Sequence, residues 1–307
     1  MAYIYKKTVG SKTYYYLRAS QTKNGKIIVK DIAYLGSSVD KVKEELAKLP
    51  QFKGLIEKSY RKISLFLESN HFLEEAKKAK PKIDYFLKEN TFLVEACRLH
   101  YNKAFKKLNP LTQKEALDNF VIEYAYNTTS IEGNTISLKE ARNLLEEGLT
   151  PKGKTLREIY DLQNTKRAFE ELDFKKDISN EFIKKIFSKL LENIDDRTEY
   201  RNKDVRITKA SFKSTPFYQI RQEINSLVKW HDENKNKLHA FALAVIFHHK
   251  FEKIHPFFDG NGRTGRMIMN FILMKNNYPP VILQKKHRSE YLDALNEADK
   301  AFIAEAK

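Results

Sequence analysis

The fold and the function of this chain depend on one stretch, His255-Pro256-Phe257-Phe258-Asp259-Gly260-Asn261-Gly262-Arg263-Thr264-Gly265-Arg266. Pro256 ends the helical pattern that precedes it, because proline cannot continue a helix. The glycines that follow Asp259 allow a tight turn in which the backbone can approach a ligand closely. From Arg263 onward, apolar residues at helical spacing predict a buried helix. The stretch therefore predicts a glycine-containing loop that opens a helix.

Such a loop is suited to binding phosphate, because it presents unpaired N–H groups at the positive end of a helix. Arg263 and Arg266 are three residues apart, so they share a helix face and can bind phosphate oxygens as forks. Asp259 offers one hard oxygen ligand, which suits Mg²⁺ bound jointly with substrate phosphates. His255 can exchange a proton near neutral pH. The alternative is that the histidine is a packing residue and the arginines are exposed to solvent. However, several polar and glycine residues suited to phosphate occur together in this one loop, which favours a phosphate site.

Composition restricts the class of protein. The chain has 307 residues, which suits two domains or one large domain with an appendage. Hydrophobic residues make up 41% and charged residues 31%, which is typical of a soluble globular protein. We expect no transmembrane helix, no secretory signal and, with Cys97 as the one cysteine, no intrachain disulfide or cysteine zinc cluster. A cytoplasmic protein without a membrane partner is predicted.

The pattern of residues divides the chain into three regions. Residues 1–38 are β-rich, because three short apolar and aromatic runs are separated by turn residues. Residues 39–109 and 110–307 are mainly helical by spacing, and alternation in Val205–Phe212 predicts a small hairpin inside the last region. Neighbours in Tyr14-Tyr15-Tyr16 would point to opposite faces of a strand. We therefore expect this strand to pack on both sides and not to stack on nucleic acid bases.

The net charge of +16 is unevenly distributed. Residues 1–110 carry 23 Lys and Arg against 11 Asp and Glu, whereas residues 111–307 carry 33 against 29. A basic region of this kind attracts nucleic acid or an acidic protein surface. A solvated, lysine-rich surface is the favoured interpretation, and nucleic acid is the less favoured partner.

The quoted stretch matches every position of the Fic-family signature, His-x-Phe-x-Asp/Glu-Gly-Asn-Gly-Arg-x-x-Arg, so the sequence resembles that family. The resemblance covers about residues 110–300 and continues through Met269-Asn270 and Tyr278-Pro279-Pro280. It implies a mainly α fold, a Fic-type helical bundle with a small β-hairpin flap, preceded by the β-meander and the helical region. Residues 110–307 would form the Fic domain, including an inhibitory helix at about 117–134.

The resemblance implies a protein adenylyltransferase, a nucleotidyltransferase that transfers AMP from Mg-ATP to a Ser, Thr or Tyr hydroxyl of a target protein. His255 would be the catalytic base and Asp259 the Mg²⁺ ligand. The implied nucleotide-binding residues are Asp259, Gly260, Asn261, Gly262, Arg263, Arg266, Thr208 on the flap, and Tyr291 and Leu295 beside the adenine. Self-modification and a homodimer stay open, and a regulator that senses nucleotide or binds nucleic acid is the alternative function.

A second motif, Thr128-Thr129-Ser130-Ile131-Glu132-Gly133-Asn134, resembles the inhibitory pattern of the same family, Ser/Thr-x-x-x-Glu-Gly/Asn. The resemblance implies that Glu132 reaches the nucleotide site, pairs with Arg266 and displaces the γ-phosphate, with Thr128 as the first residue of the motif. A glycine stop at the end of a helix is the alternative. In this family the glutamate can also support removal of AMP, so the direction of the reaction stays open.

Two other patterns are not interpreted as sites. Residues Gly148–Thr155 satisfy the phosphate-loop pattern, but that loop requires a buried strand before it, and residues 138–147 have helical spacing. His248 and His249 are adjacent, and neighbours on a helix point about 100° apart, so they chelate a metal poorly. We expect both to be packing or surface residues.

Overall fold

The computed structural model describes residues 2–10, 12–23, 25–205 and 214–305. The chain divides into two compact units. The first comprises residues 1–83 and 87–100, and the second comprises residues 84–86 and 101–307.

The first unit combines a three-stranded antiparallel sheet with helices. The strands β1 (Ala2–Val9), β2 (Lys12–Lys23) and β3 (Lys26–Gly36) are neighbours in chain order, as the predicted meander requires. One face of the sheet buries Ile4, Tyr15 and Leu17 together with Ile63 of a helix. The helices are α1 (Val39–Ala47), α2 (Lys53–Lys58), α3 (Tyr60–Lys78) and α4 (Asn90–Lys103), the last of which crosses into the second unit.

The second unit is helical in its described part. Its helices are α5 (Pro110–Glu132), α6 (Leu138–Glu147), α7 (Leu156–Glu170), α8 (Asn180–Leu190), α9 (Ile220–Asn234), α10 (Ala240–Ile254), α11 (Asn261–Lys275) and α12 (Arg288–Glu305). The central helix is α11, which buries 12 of its 15 residues, so the polar side chains on it require partners. Among the described residues, no helix is both long and apolar enough to cross a membrane.

The mainly α fold with a small N-terminal sheet is confirmed, and several details differ from the prediction. The helix expected at about 117–134 begins earlier, because Asn109 caps it and Pro110 opens it, and it ends at Gly133 in the left-handed region (φ 115°). The helix α6 precedes Gly148, where a phosphate loop would require a buried strand. Of the expected hairpin, residues 206–213, including Thr208, lie outside the described residues.

The expectation that the tyrosine strand packs on both sides is wrong. Tyr15 is buried, with 1% of its surface exposed, and its hydroxyl donates a hydrogen bond to Glu74 Oε1 at 2.9 Å. Tyr14 and Tyr16 point to the other face and are only half-buried. Alternation predicts that neighbours diverge, but it does not say how many helices cover the sheet.

Candidate active site

The loop from His255 to Asn261 is held in place by hydrogen bonds on both sides. His255 ends α10 in the left-handed region (φ 51°), and its carbonyl accepts a hydrogen bond from Arg201 Nε at 2.8 Å. The side chain of Asn261 accepts from the backbone N–H of Phe257 and donates to the Phe257 carbonyl, both at 2.9 Å. The fixed loop determines where the imidazole of His255 lies.

His255 is a neutral imidazole at pH 7. Burial lowers the pKa of His255 to about 4, and the charge of Arg201 acts in the same direction. A hydrogen bond with the Glu252 backbone and the charges of Glu132 and Asp259 offset part of this decrease in pKa. A general base must be unprotonated before it acts, so this state suits proton abstraction.

Two glycines make room around the start of α11. Gly260 has a positive φ of 68°, and a Cβ atom there would lie 2.5 Å from Leu191 Cδ2. A Cβ atom at Gly262 would collide with the carboxylate of Glu132. The first N–H groups of a helix have no partner within the helix, so this position suits an anion. A carboxylate of the chain itself occupies it.

Glu132 bridges two buried arginines. Its Oε2 accepts from Arg263 Nε at 2.8 Å and its Oε1 from Arg266 Nη2 at 2.7 Å. Arg266 also donates to Thr128, from Nε to the hydroxyl at 2.7 Å and from Nη2 to the carbonyl at 3.0 Å. The structure thus brings together Thr128, Glu132, Arg263 and Arg266, and the contact with Arg263 adds to the one implied by the sequence.

Two residues of α7 complete the charge network, and neither is predicted from the sequence. Arg157 pairs with Asp259, and Asp161 pairs with Arg263. Burial raises the pKa of Asp259, but Arg263 and Arg157 outweigh it and hold this pKa below its ordinary value. The one available signal was that 157/161 and 259/263 are both opposite-charge pairs four residues apart.

The cleft beside Glu132 continues towards α12. Its cavity volume is about 300 Å³. The residues that line it are Ile131, Glu132, Glu252, His255, Phe258, Asp259, Gly260, Asn261, Gly262, Arg266, Arg288, Tyr291, Leu292 and Leu295. Tyr291 lies 2.8 Å from His248 Nε2 through its hydroxyl, and the two rings stack at 5.9 Å. His248 and His249 are both buried, so the packing interpretation is right and the surface alternative is wrong.

Glu252 is another acidic residue of the cleft, and it is not predicted from the sequence. It lies on α10, and its Oε1 atom is buried 4.0 Å from His248 Nδ1. Burial raises the pKa of Glu252 to about 7, with Arg266 opposing and Glu132 adding to the increase. Its signal in the sequence was a carboxylate about one turn before His255, on the helix that ends there.

The carboxylate of Asp259 is suited to a cation that is also bound by the substrate. No group of three or more His, Cys, Asp or Glu side chains that could hold a metal occurs in the described part of the chain. Asp259 therefore offers a single carboxylate next to the anion position. This arrangement suits Mg²⁺, which often binds through one or two carboxylates together with phosphates and water.

The fold and this loop define a recognisable class of domain. Residues 177–273 match the family model described as the Fic/DOC family. The chain therefore contains a Fic domain, which confirms the resemblance of its signature stretch.

Named relatives agree with this class. The chain is 31% identical over 204 residues to protein adenylyltransferase fic-1 of Caenorhabditis elegans, a match that covers 63% of this chain and 40% of that relative. A Fic-domain-containing signaling protein of Bacteroides thetaiotaomicron aligns with a TM-score of 0.61 and 26% identity over 66% of this chain and 80% of its own. The C. elegans Fic-1 fragment of residues 134–508 aligns with a TM-score of 0.57 and 25% identity. The alignment covers 86% of this chain and 81% of the fragment.

Proposed function

We propose that this chain is a protein adenylyltransferase that transfers AMP from Mg-ATP to a Ser, Thr or Tyr hydroxyl of a target protein, and that Glu132 inhibits it. The observation that carries the proposal is the carboxylate of Glu132 on Arg263 and Arg266 at the start of α11, next to a neutral His255. A negatively charged group already occupies the position that suits phosphate. The name of the C. elegans relative supports the same reaction.

In the proposed reaction His255 removes the proton from the target hydroxyl. The hydroxyl oxygen bonds to the α-phosphorus of ATP, and the bond from this phosphorus to the oxygen of the β-phosphate breaks, so pyrophosphate leaves. Backbone N–H groups of Asn261 and Gly262 stabilise the charge on the α-phosphate, since they begin α11. Arg263 and Arg266 bind the remaining phosphates. Mg²⁺ on Asp259 would neutralise phosphate charge when bound.

Glu132 inhibits because it uses the same two arginines as the phosphates. A block of 99:1 requires about 2.7 kcal/mol at about 1.4 kcal/mol per tenfold. Removing one partner of a buried ion pair typically costs about 3–5 kcal/mol. Glu132 therefore leaves the arginines only when another anion replaces it, and because the carboxylate is 28% exposed, part of the energy of its contacts is screened.

Incubation with α-labelled ATP and candidate target proteins tests the reaction. We expect little label with the wild type, strong label with Glu132→Gly and none with Glu132→Gly/His255→Ala. Glu115→Gly, which removes an exposed glutamate of the same helix, is the matched control and should behave as the wild type. Label from γ-labelled ATP would instead indicate phosphoryl transfer, and label on the chain itself would show self-modification. If Glu132→Gly incorporates no more label than the control, the inhibitory role is wrong.

A further inference from the structure

The sheet of the first unit has a second face that carries tyrosines. Strand register places Tyr5 opposite Tyr16, and Tyr16 opposite Tyr34, so one row of three tyrosines crosses all three strands. Tyr14 and Tyr3 flank this row on the same face, opposite to the buried Tyr15.

These rings form a connected aromatic surface. The ring centroids of Tyr16 and Tyr34 are 5.4 Å apart, and those of Tyr14 and Tyr34 are 6.4 Å apart. The guanidinium of Arg18 lies 3.3 Å from the ring centroid of Tyr5. Tyr34 is 53% exposed, and the other four are half-buried. Tyr34 is thus the ring of this row that is most open to solvent, and an exposed aromatic ring can stack on a planar partner.

Positive charge lies near the same surface, but Lys6 points to the opposite face, where it donates to Asn70, and Arg18 pairs with Asp31. Residues 1–36 carry seven Lys and Arg against one Asp, which is +6 of the net charge of +16. A groove of about 670 Å³ beside Tyr14 and Tyr34 is lined by Lys12 of β2 and by Lys77 and Lys78 of the last turn of α3. Glu74 also lines this groove, and its carboxylate accepts a hydrogen bond from the hydroxyl of Tyr15. An anionic partner is therefore favoured.

We propose that this tyrosine face binds single-stranded nucleic acid. Unpaired bases expose planar faces that stack on tyrosine rings, while the phosphates contact the lysines of the groove. In a duplex the base faces are hidden, and an acidic protein would use the lysines but not the row of rings. The combination of stacking rings and cations therefore selects a single strand, independently of the transferase function proposed for the Fic site.

Fluorescence anisotropy with labelled 20-mers tests this on the full chain. We expect oligo(dT) or oligo(U) to bind at 50 mM salt, more tightly than a 20-base-pair duplex, and with an affinity that falls as salt rises. Tyr16→Ala/Tyr34→Ala should reduce the affinity between about 5-fold and about 150-fold, the range measured for loss of base stacking.

Controls separate stacking from loss of fold or from charge alone. Tyr34→Phe keeps the ring and should keep the affinity. Tyr60→Ala removes a tyrosine that is 67% exposed and belongs to α3 and not to the tyrosine face, and it should have no effect. The proposal is overturned if no oligonucleotide binds at 50 mM salt. It is also overturned if Tyr16→Ala/Tyr34→Ala binds as the wild type while Lys77→Glu/Lys78→Glu does not, since charge alone would then explain binding.

Discussion

The start of α11 and the groove beside the tyrosine face both contain cations, but the surroundings of these cations differ. Arg263 and Arg266 are 2% exposed and each contacts a carboxylate of another helix. Lys77 and Lys78 of the sheet's groove are exposed. Buried charges need matched partners, whereas exposed charges interact through solvent and are screened by salt.

The difference indicates how each region can be controlled. At α11 a ligand must replace an ionic partner that is already in place, so the site can be inhibited from within the chain. At the sheet the lysines of the groove are exposed, so binding of a polyanion there depends on salt and on stacking. Substitutions in the buried network should therefore have the larger effects.

The largest effect is expected for the proposed base. In the Glu132→Gly background, His255→Ala should reduce the rate of AMP transfer by about 10²–10⁴-fold, the usual contribution of general-base catalysis. Binding of ATP should be retained, because the phosphate contacts are unchanged. Single-turnover kinetics and a binding titration separate the two quantities. Equal loss of binding and rate would mean that His255 positions substrate instead.

The next effect concerns the buried carboxyl of Glu252. Because its pKa is raised to about 7, the folded protein keeps a proton there that the unfolded chain releases near pH 4.3. Its contribution to stability is complete below that pH and is lost as the pH rises through 7, with a magnitude on the order of 3 kcal/mol. In Glu252→Gln, which has no titratable group at this position, this loss of stability with rising pH should be absent.

Thermal unfolding of wild type and Glu252→Gln between pH 4.5 and 8 measures this effect as a difference. The difference is needed because His255 titrates in the opposite direction. The pKa of His255 is lowered, so its contribution to stability is lost as the pH falls. A constant difference across the pH range would show that Glu252 is ionised throughout.

The smallest effect is expected for Arg157, which pairs with Asp259 but is 56% exposed in its side chain. An exposed ion pair is worth at most about 1 kcal/mol, so Arg157→Ala should strengthen divalent cation binding by up to about 5-fold. Titration of the nucleotide-free protein with Mn²⁺, followed by electron paramagnetic resonance, measures this. Arg167→Ala, which breaks an exposed pair elsewhere on α7, is the control. If Arg157→Ala binds the cation no more tightly than the wild type, Arg157 does not compete with the cation for Asp259.

The sequence predicted the parts of the site that are local. The loop from His255 to Arg266 and the helix end at Glu132 are recognisable because proline, glycine and helical spacing act over a few residues. Arg157 and Asp161 could not be assigned, since their partners are 102 residues away. The division into residues 1–38, 39–109 and 110–307 stays a prediction, as does a cytoplasmic location.

Contacts between residues distant in sequence also decide which faces of the sheet are covered. The alternation around Tyr15 predicted that its neighbours face the other way, but the number of faces covered depends on tertiary packing. The structure shows that α1, α2 and α3 pack on the face that holds Tyr15, and that the tyrosine row on the other face is partly exposed.

Isothermal titration of wild type and Glu132→Gly with ATP, each with and without Mg²⁺, tests the central claim most directly. We predict that Glu132→Gly binds Mg-ATP at least about tenfold more tightly than the wild type, since the arginines are then available to phosphate. The Glu115→Gly control should match the wild type. If Glu132→Gly shows no magnesium-dependent binding of ATP, the start of α11 is not a triphosphate site and the account is contradicted.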